Sequence, residues 1–87
     1  MDRKEIFRAI EVERERQDQL HPKKKIRQTG DKETDLLQNL LLHYEFMPIL
    51  VEEVGEVGTA LQGEGDLQEE LIHVASVCVK WLENINN

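Results

Sequence analysis

Two pairs of ligand-type side chains, each pair three positions apart, stand in otherwise apolar helical stretches: Glu53 with Glu56 in "LVEEVGEVGTAL", and Glu70 with His73 in "EELIHVASV". Residues so spaced share one face of an α-helix. At about 100° per residue, Glu53 falls on the stripe that holds Ile49 and Val57, and Glu70 falls among Val74, Val77 and Trp81. Both pairs therefore aim at an interior. Burying carboxylates is costly unless something pairs with them, and an oxygen-rich set of this kind suits Mg²⁺ or Mn²⁺, which would offset desolvation and mutual repulsion. The short connection "QGEGD" makes the two stretches antiparallel neighbours, so that four ligand groups can converge.

The elements that must position these groups are helical, since no alternating β-branched run and no Asn-Gly or Asp-Gly hairpin pair is present. A first helix over 1–20 starts after Asp2, with Glu5 at the capping-box position, and is expected to bury Ile6, Phe7 and Ile10. Beyond Val12 it becomes a charged rod, "ERERQDQ". The segment "HPKKKIRQTGD" at 21–31 reads as a basic loop, because His-Pro disfavours helix at His21 and Gly30-Asp31 is a breaker pair. A second helical region spans 32–62, with Leu36, Leu37, Leu40 and Leu41 as its early apolar stripe. Pro48 either kinks it or opens a new helix in its first turn. "GEG" at 63–65 ends the element, and Asp66 with Glu69 caps a last helix over 66–84. That helix is apolar nearly all round, which places it in the middle of a bundle.

At 87 residues the chain is one domain, 1–87, and so short a chain buries too little surface to be comfortably stable alone. The expected fold class is all-α: a helical bundle with a four-helix-type core completed by oligomerisation, as a homodimer or homotetramer. No apolar run approaches the roughly 18 residues of a membrane helix, and the charged beginning lacks a signal-peptide core, so a cytoplasmic protein with no membrane partner is expected. Cys78 is the sole cysteine, which excludes an internal disulfide and a multi-cysteine zinc site. The net charge of −7 opposes nucleic-acid binding, and ten of the eleven Lys and Arg residues lie in positions 1–32. The stretch from Glu33 through Val79 has no Lys or Arg to meet its carboxylates.

"EEVGE" followed by "ELIH" resembles the EExxE and ExxD signature of the MazG-like all-α nucleoside triphosphate pyrophosphohydrolases, and "ERERQD", "EEVGEVGTAL" and "EELIHVASVCVKWLE" are most similar to the short phage and prophage versions. The resemblance covers most of the chain outside the middle loop. It implies Mg²⁺ held by Glu53, Glu56, Glu70 and the position of His73. It further implies cleavage of a ribo- or deoxyribonucleoside triphosphate between its α and β phosphates, giving a monophosphate and pyrophosphate. Glu52 is the candidate water-orienting base, which makes Glu52, Glu53 and Glu56 the candidate catalytic set. Arg14, Arg16, Lys24 and Arg27 are the candidates for the triphosphate, since no Walker-type glycine loop is present. His73 departs from the pattern: a neutral imidazole replaces a hard anionic oxygen and is better matched to Mn²⁺, Fe²⁺ or Zn²⁺.

Two other functions are compatible with these residues. Glu-x-x-His pairs on facing helices build di-iron or di-manganese sites in ferritin-like bundles. A non-catalytic relative would keep the helical scaffold as a nucleotide-binding or interaction module, with His73 marking a lost ligand. The bland readings are a solvated face for Glu64 and Glu69, a core or interface role for Trp81, and for His73 a satisfied core histidine bonded to a glutamate across the bundle.

Overall fold

The computed structural model describes residues 1–20 and 31–85, with every side chain in them but those of Asn39 and Leu42. It consists of α1 (Arg3–Leu20), α2 (Lys32–Leu61) and α3 (Leu67–Ile85), with no strand among the described residues. No helix in these segments is long and apolar enough to cross a membrane.

Each helix is started by an aspartate that accepts from backbone N–H groups left unpaired in the first turn. Asp2 Oδ1 accepts from the Glu5 N–H at 2.9 Å. Asp31 accepts from the Glu33 N–H at 3.2 Å and from the Thr34 hydroxyl at 2.6 Å. Asp66 accepts from the N–H groups of Gln68 and Glu69 at 3.0 and 3.3 Å. Asp31 thus opens a helix where the Gly30-Asp31 pair reads only as a break.

Pro48 does not divide α2, which runs unbroken for 30 residues. The proline supplies no N–H to the Tyr44 carbonyl one turn earlier, and the flanking turns carry the helix across that gap. At about 1.5 Å per residue α2 is about 45 Å long, which accounts for most of the 49 Å longest dimension. Its end is a Schellman motif: the Gly63 N–H donates to the Ala60 carbonyl at 3.0 Å and the Glu64 N–H to the Thr59 carbonyl at 3.2 Å. Gly63 takes a φ of +92°, in the left-handed region that glycine enters without a Cβ penalty.

α3 lies between the other two helices, and α1 and α2 do not pack on each other. On one side His43 and Phe46 of α2 meet Trp81, while Glu53 faces His73, so α2 and α3 are antiparallel. On the other side Met1 meets Gln68 and Arg14 meets Glu83, so α1 runs in the same direction as α3. The apolar core is small: among the described side chains Phe46, Ala60 and Val77 are the buried hydrophobic ones. Phe46 stacks on Trp81 with ring centroids 5.7 Å apart, and the Trp81 indole N–H donates to His43 Nδ1 at 2.7 Å. Ser76 is fully buried, its hydroxyl donating to the Ile72 carbonyl at 2.7 Å.

Two expectations about burial fail within the single chain. Ile6 and Phe7 of α1 are exposed, as are Leu36, Leu37, Leu40 and Leu41 of α2. The reason is geometric. α1 touches one helix, and the first turns of α2 project past the end of the shorter α3, where His43 is already level with Trp81. Instead α1 buries Glu13 and Arg14 of its charged run against α3.

Candidate metal centre

Antiparallel packing sets Glu53 opposite His73, and one helical turn on each helix brings in Glu56 and Glu70. One ligand atom from each of Glu53, Glu56, Glu70 and His73 lies within 4.8 Å of all the others. His73 presents Nδ1 to this group, 3.4 Å from Glu70 Oε2 and 3.8 Å from Glu53 Oε2. Ligands on adjacent vertices of an octahedron sit about 3 Å apart when each is about 2.1 Å from the ion. Shifts of under 1 Å would therefore close these two separations around one cation.

Burial makes the cluster electrostatically demanding. Glu53 Oε2 and Glu70 Oε2 are both shut off from solvent and neither has a hydrogen-bond partner. Burial, then repulsion from Glu56, raises the pKa of Glu53 above its ordinary value, and only partly does His73 counter this. Unpaired buried acceptors of this kind cost stability unless a proton or a cation meets them. Glu56 is exposed, which gives the cluster an open side.

His73 turns its other nitrogen to α1. Nε2 lies 3.8 Å from Glu13 Oε2 and 3.9 Å from Glu69 Oε1. Glu13 is buried and held by the Arg16 guanidinium at 2.6 and 2.8 Å, with Gln17 at 3.4 Å. The Arg16 hydrogen bonds hold the Glu13 carboxyl below the ordinary carboxylate range. Sequence reasoning missed Glu13, because in "ERER" it reads as one charge of an exposed alternating run; no local signal marks it as buried.

The other candidate residues are distributed unevenly. Glu52 is exposed, one position off the Glu53 stripe. Arg16 lies beside Glu13, half exposed, close enough to Glu53 and Glu69 to feel their charge. Arg14 is buried toward the C-terminal end of α3, its donors engaged by Glu83 at 2.6 and 3.3 Å, Asp18 at 2.9 Å and Gln17 at 3.1 Å. Lys24 and Arg27 lie outside the described residues.

Compared with protein-family models, with curated proteins and with solved structures, the chain finds no match.

Proposed function

We propose that this chain is a MazG-like, metal-dependent nucleoside triphosphate pyrophosphohydrolase that converts ribo- or deoxyribonucleoside triphosphates to monophosphates and pyrophosphate in the cytoplasm. The observation that carries the reading is the convergence of Glu53, Glu56, Glu70 and His73 with two buried carboxylate oxygens that have no hydrogen-bond partner. Their chemistry fits Mg²⁺, or Mn²⁺ in view of the imidazole. Such an ion supplies charge neutralisation at phosphate oxygens and lowers the pKa of water, in a reaction governed by positioning and electrostatics.

The chain's own residues then divide the work. Glu53, Glu56, Glu70 and His73 hold the cation on the two facing helices. Glu52 orients the attacking water on the exposed side. Arg16, which grips Glu13 through Nε and Nη2 while its side chain reaches solvent, has further guanidinium N–H groups to offer a triphosphate oxygen; Lys24 and Arg27 are further candidates for that role. Water oxygen joins one phosphorus, the bridging oxygen between the α and β phosphorus atoms departs with the other, and the released protons pass to solvent.

The assembly belongs to the same proposal. A homodimer or homotetramer that covers Leu36, Leu37, Leu40 and Leu41 would complete a four-helix-type core, which the three helices of one chain leave open.

A second reading, a scaffold that binds nucleotides without turnover, is favoured by one observation: an imidazole stands where the family pattern has an aspartate. The experiment is pyrophosphate release from a panel of ribo- and deoxyribonucleoside triphosphates with Mg²⁺ and then Mn²⁺, comparing native protein, Glu53→Gln and His73→Asp. Turnover abolished by Glu53→Gln supports the hydrolase. No turnover in the native protein refutes it for those substrates, and restoration by His73→Asp alone favours the second reading.

A further inference from the structure

The imidazole of His73 is the bridge between two sets of carboxylates, and its two nitrogens face different helices. Nδ1 is 3.4 Å from Glu70 Oε2 and 3.8 Å from Glu53 Oε2, within the cluster formed between α2 and α3. Nε2 points away from that cluster, toward Glu13 Oε2 on α1 at 3.8 Å and the exposed Glu69 Oε1 of its own helix at 3.9 Å, of which only Glu13 is buried and clamped. Glu13 is not a floating surface carboxylate: it is 9 % exposed, and the fork of Arg16 grips both its oxygens, at 2.6 and 2.8 Å. A rigid acceptor thus stands behind a ligand-type histidine on the side opposite the other ligands.

We propose that Glu13 is the positioning residue of the metal centre: it accepts the Nε2–H of His73, fixes the ring's tautomer and orientation, and so dictates that His73 binds through Nδ1. Metal-bound histidines generally donate their second ring N–H to a carboxylate or carbonyl, which orients the ring and raises its basicity. A rotation of the imidazole that shortens this 3.8 Å separation by under 1 Å would bring Nε2 within hydrogen-bond distance of Glu13. Arg16 keeps the Glu13 side chain from swinging to solvent. This assignment makes α1 part of the site although none of its side chains belongs to the four-residue ligand cluster. Because imidazole made more basic by a carboxylate favours borderline cations, Glu13 also tilts the centre from Mg²⁺ toward Mn²⁺ or Zn²⁺. The proposal rests on the metal reading given under Proposed function.

The test is calorimetric titration of Mn²⁺ and Zn²⁺ into native protein, Glu13→Ala, Glu13→Gln, His73→Ala and the Glu13→Ala/His73→Ala pair. Nitrogen-15 spectra of His73 are recorded in the Zn²⁺-loaded protein. We expect Glu13→Ala to weaken binding roughly 10- to 100-fold and Glu13→Gln, which keeps an oxygen acceptor, to retain most of the affinity. Glu13→Ala should add nothing once His73 is alanine, and the spectra should show Nε2 protonated with the metal on Nδ1. Zinc on Nε2 overturns the proposal. So does a Glu13→Ala loss that persists in the His73→Ala background, because it would mark a purely structural role. Should Glu13→Ala fail to fold, Glu13→Gln and the native spectrum still decide. Native protein that binds metal with Glu13→Ala unaffected sinks this proposal alone, whereas native protein with no saturable binding of either metal sinks the metal centre with it.

Discussion

Glu53→Gln should make the protein more stable without metal and less stable with it. Glu53 sits with Glu56, Glu70 and His73 in a group whose ligand atoms lie within 4.8 Å. Two like charges at that separation repel by about 3 kcal/mol at an effective dielectric constant of about 20. His73 offsets part of this and the exposure of Glu56 screens more, which leaves about 1–2 kcal/mol to be gained by removing the charge. The new amide can also donate to Glu70 Oε2, which has no hydrogen-bond partner in the native chain. For a domain of this size each kcal/mol is worth about 4–8 °C in Tm, so the variant should melt roughly 5–10 °C higher in chelator at neutral pH. Metal reverses the order: a ligand at about 100 times its Kd adds about 2.7 kcal/mol to the native protein, and Glu53→Gln forfeits most of it. The pH dependence has a definite sign. Glu53 holds its proton more tightly folded than unfolded, so native stability falls as pH rises from the ordinary value near 4.5 through the raised folded value. The gap between variant and native should therefore close in acid. Scanning calorimetry at fixed protein concentration, with chelator and then with Mn²⁺, checks all three expectations. A variant no more stable than native in chelator, or a native Tm indifferent to Mn²⁺ and Mg²⁺, would refute the reasoning.

Three further predictions test the scaffold. Gly63→Ala forces a Cβ onto a residue with φ of +92° and should cost about 1–2 kcal/mol, read as a lower Tm; an unchanged Tm would mean the Schellman turn has another solution. The Thr34 hydroxyl and Glu33 N–H hold the Asp31 carboxyl below its ordinary pKa, so its capping contribution is complete above the unfolded value and lost as pH falls through the folded one. Circular dichroism on acidification should show native helicity declining over that range, with Asp31→Ala already lower at neutral pH and flatter. Sedimentation should find native protein as a dimer or tetramer and Leu37→Glu/Leu41→Glu as a smaller species; a monomeric native chain would refute the assembly.

What the sequence discloses is what helical periodicity and short-range chemistry control. The nearly all-round apolar surface of the last helix predicts a place in the middle of a bundle, and within one chain α3 lies between α1 and α2. Asp2 and Asp66 announce their caps through the residues that follow them. The approach of Glu53, Glu56, Glu70 and His73 is legible because it needs only two helical faces and a five-residue connection. What is hidden depends on distant packing. Glu13 and Arg14 look like solvated charges, and only their positions against His73 and Glu83 of α3 explain their burial. Nor can local rules say that Pro48 leaves α2 continuous, since that depends on whether surrounding turns outweigh one missing N–H.

The order of the helices in space, α1–α3–α2, differs from their order along the chain. A ribosome makes the central helix after both of its neighbours. Until Leu67–Ile85 emerges, the two helices already synthesised have no surface on which to dock, and the glutamates at 53 and 56 have no facing ligands. Folding of the nascent chain is thereby deferred until α3 has emerged, and any message truncated before α3 would yield two unpaired helices for the proteolytic machinery.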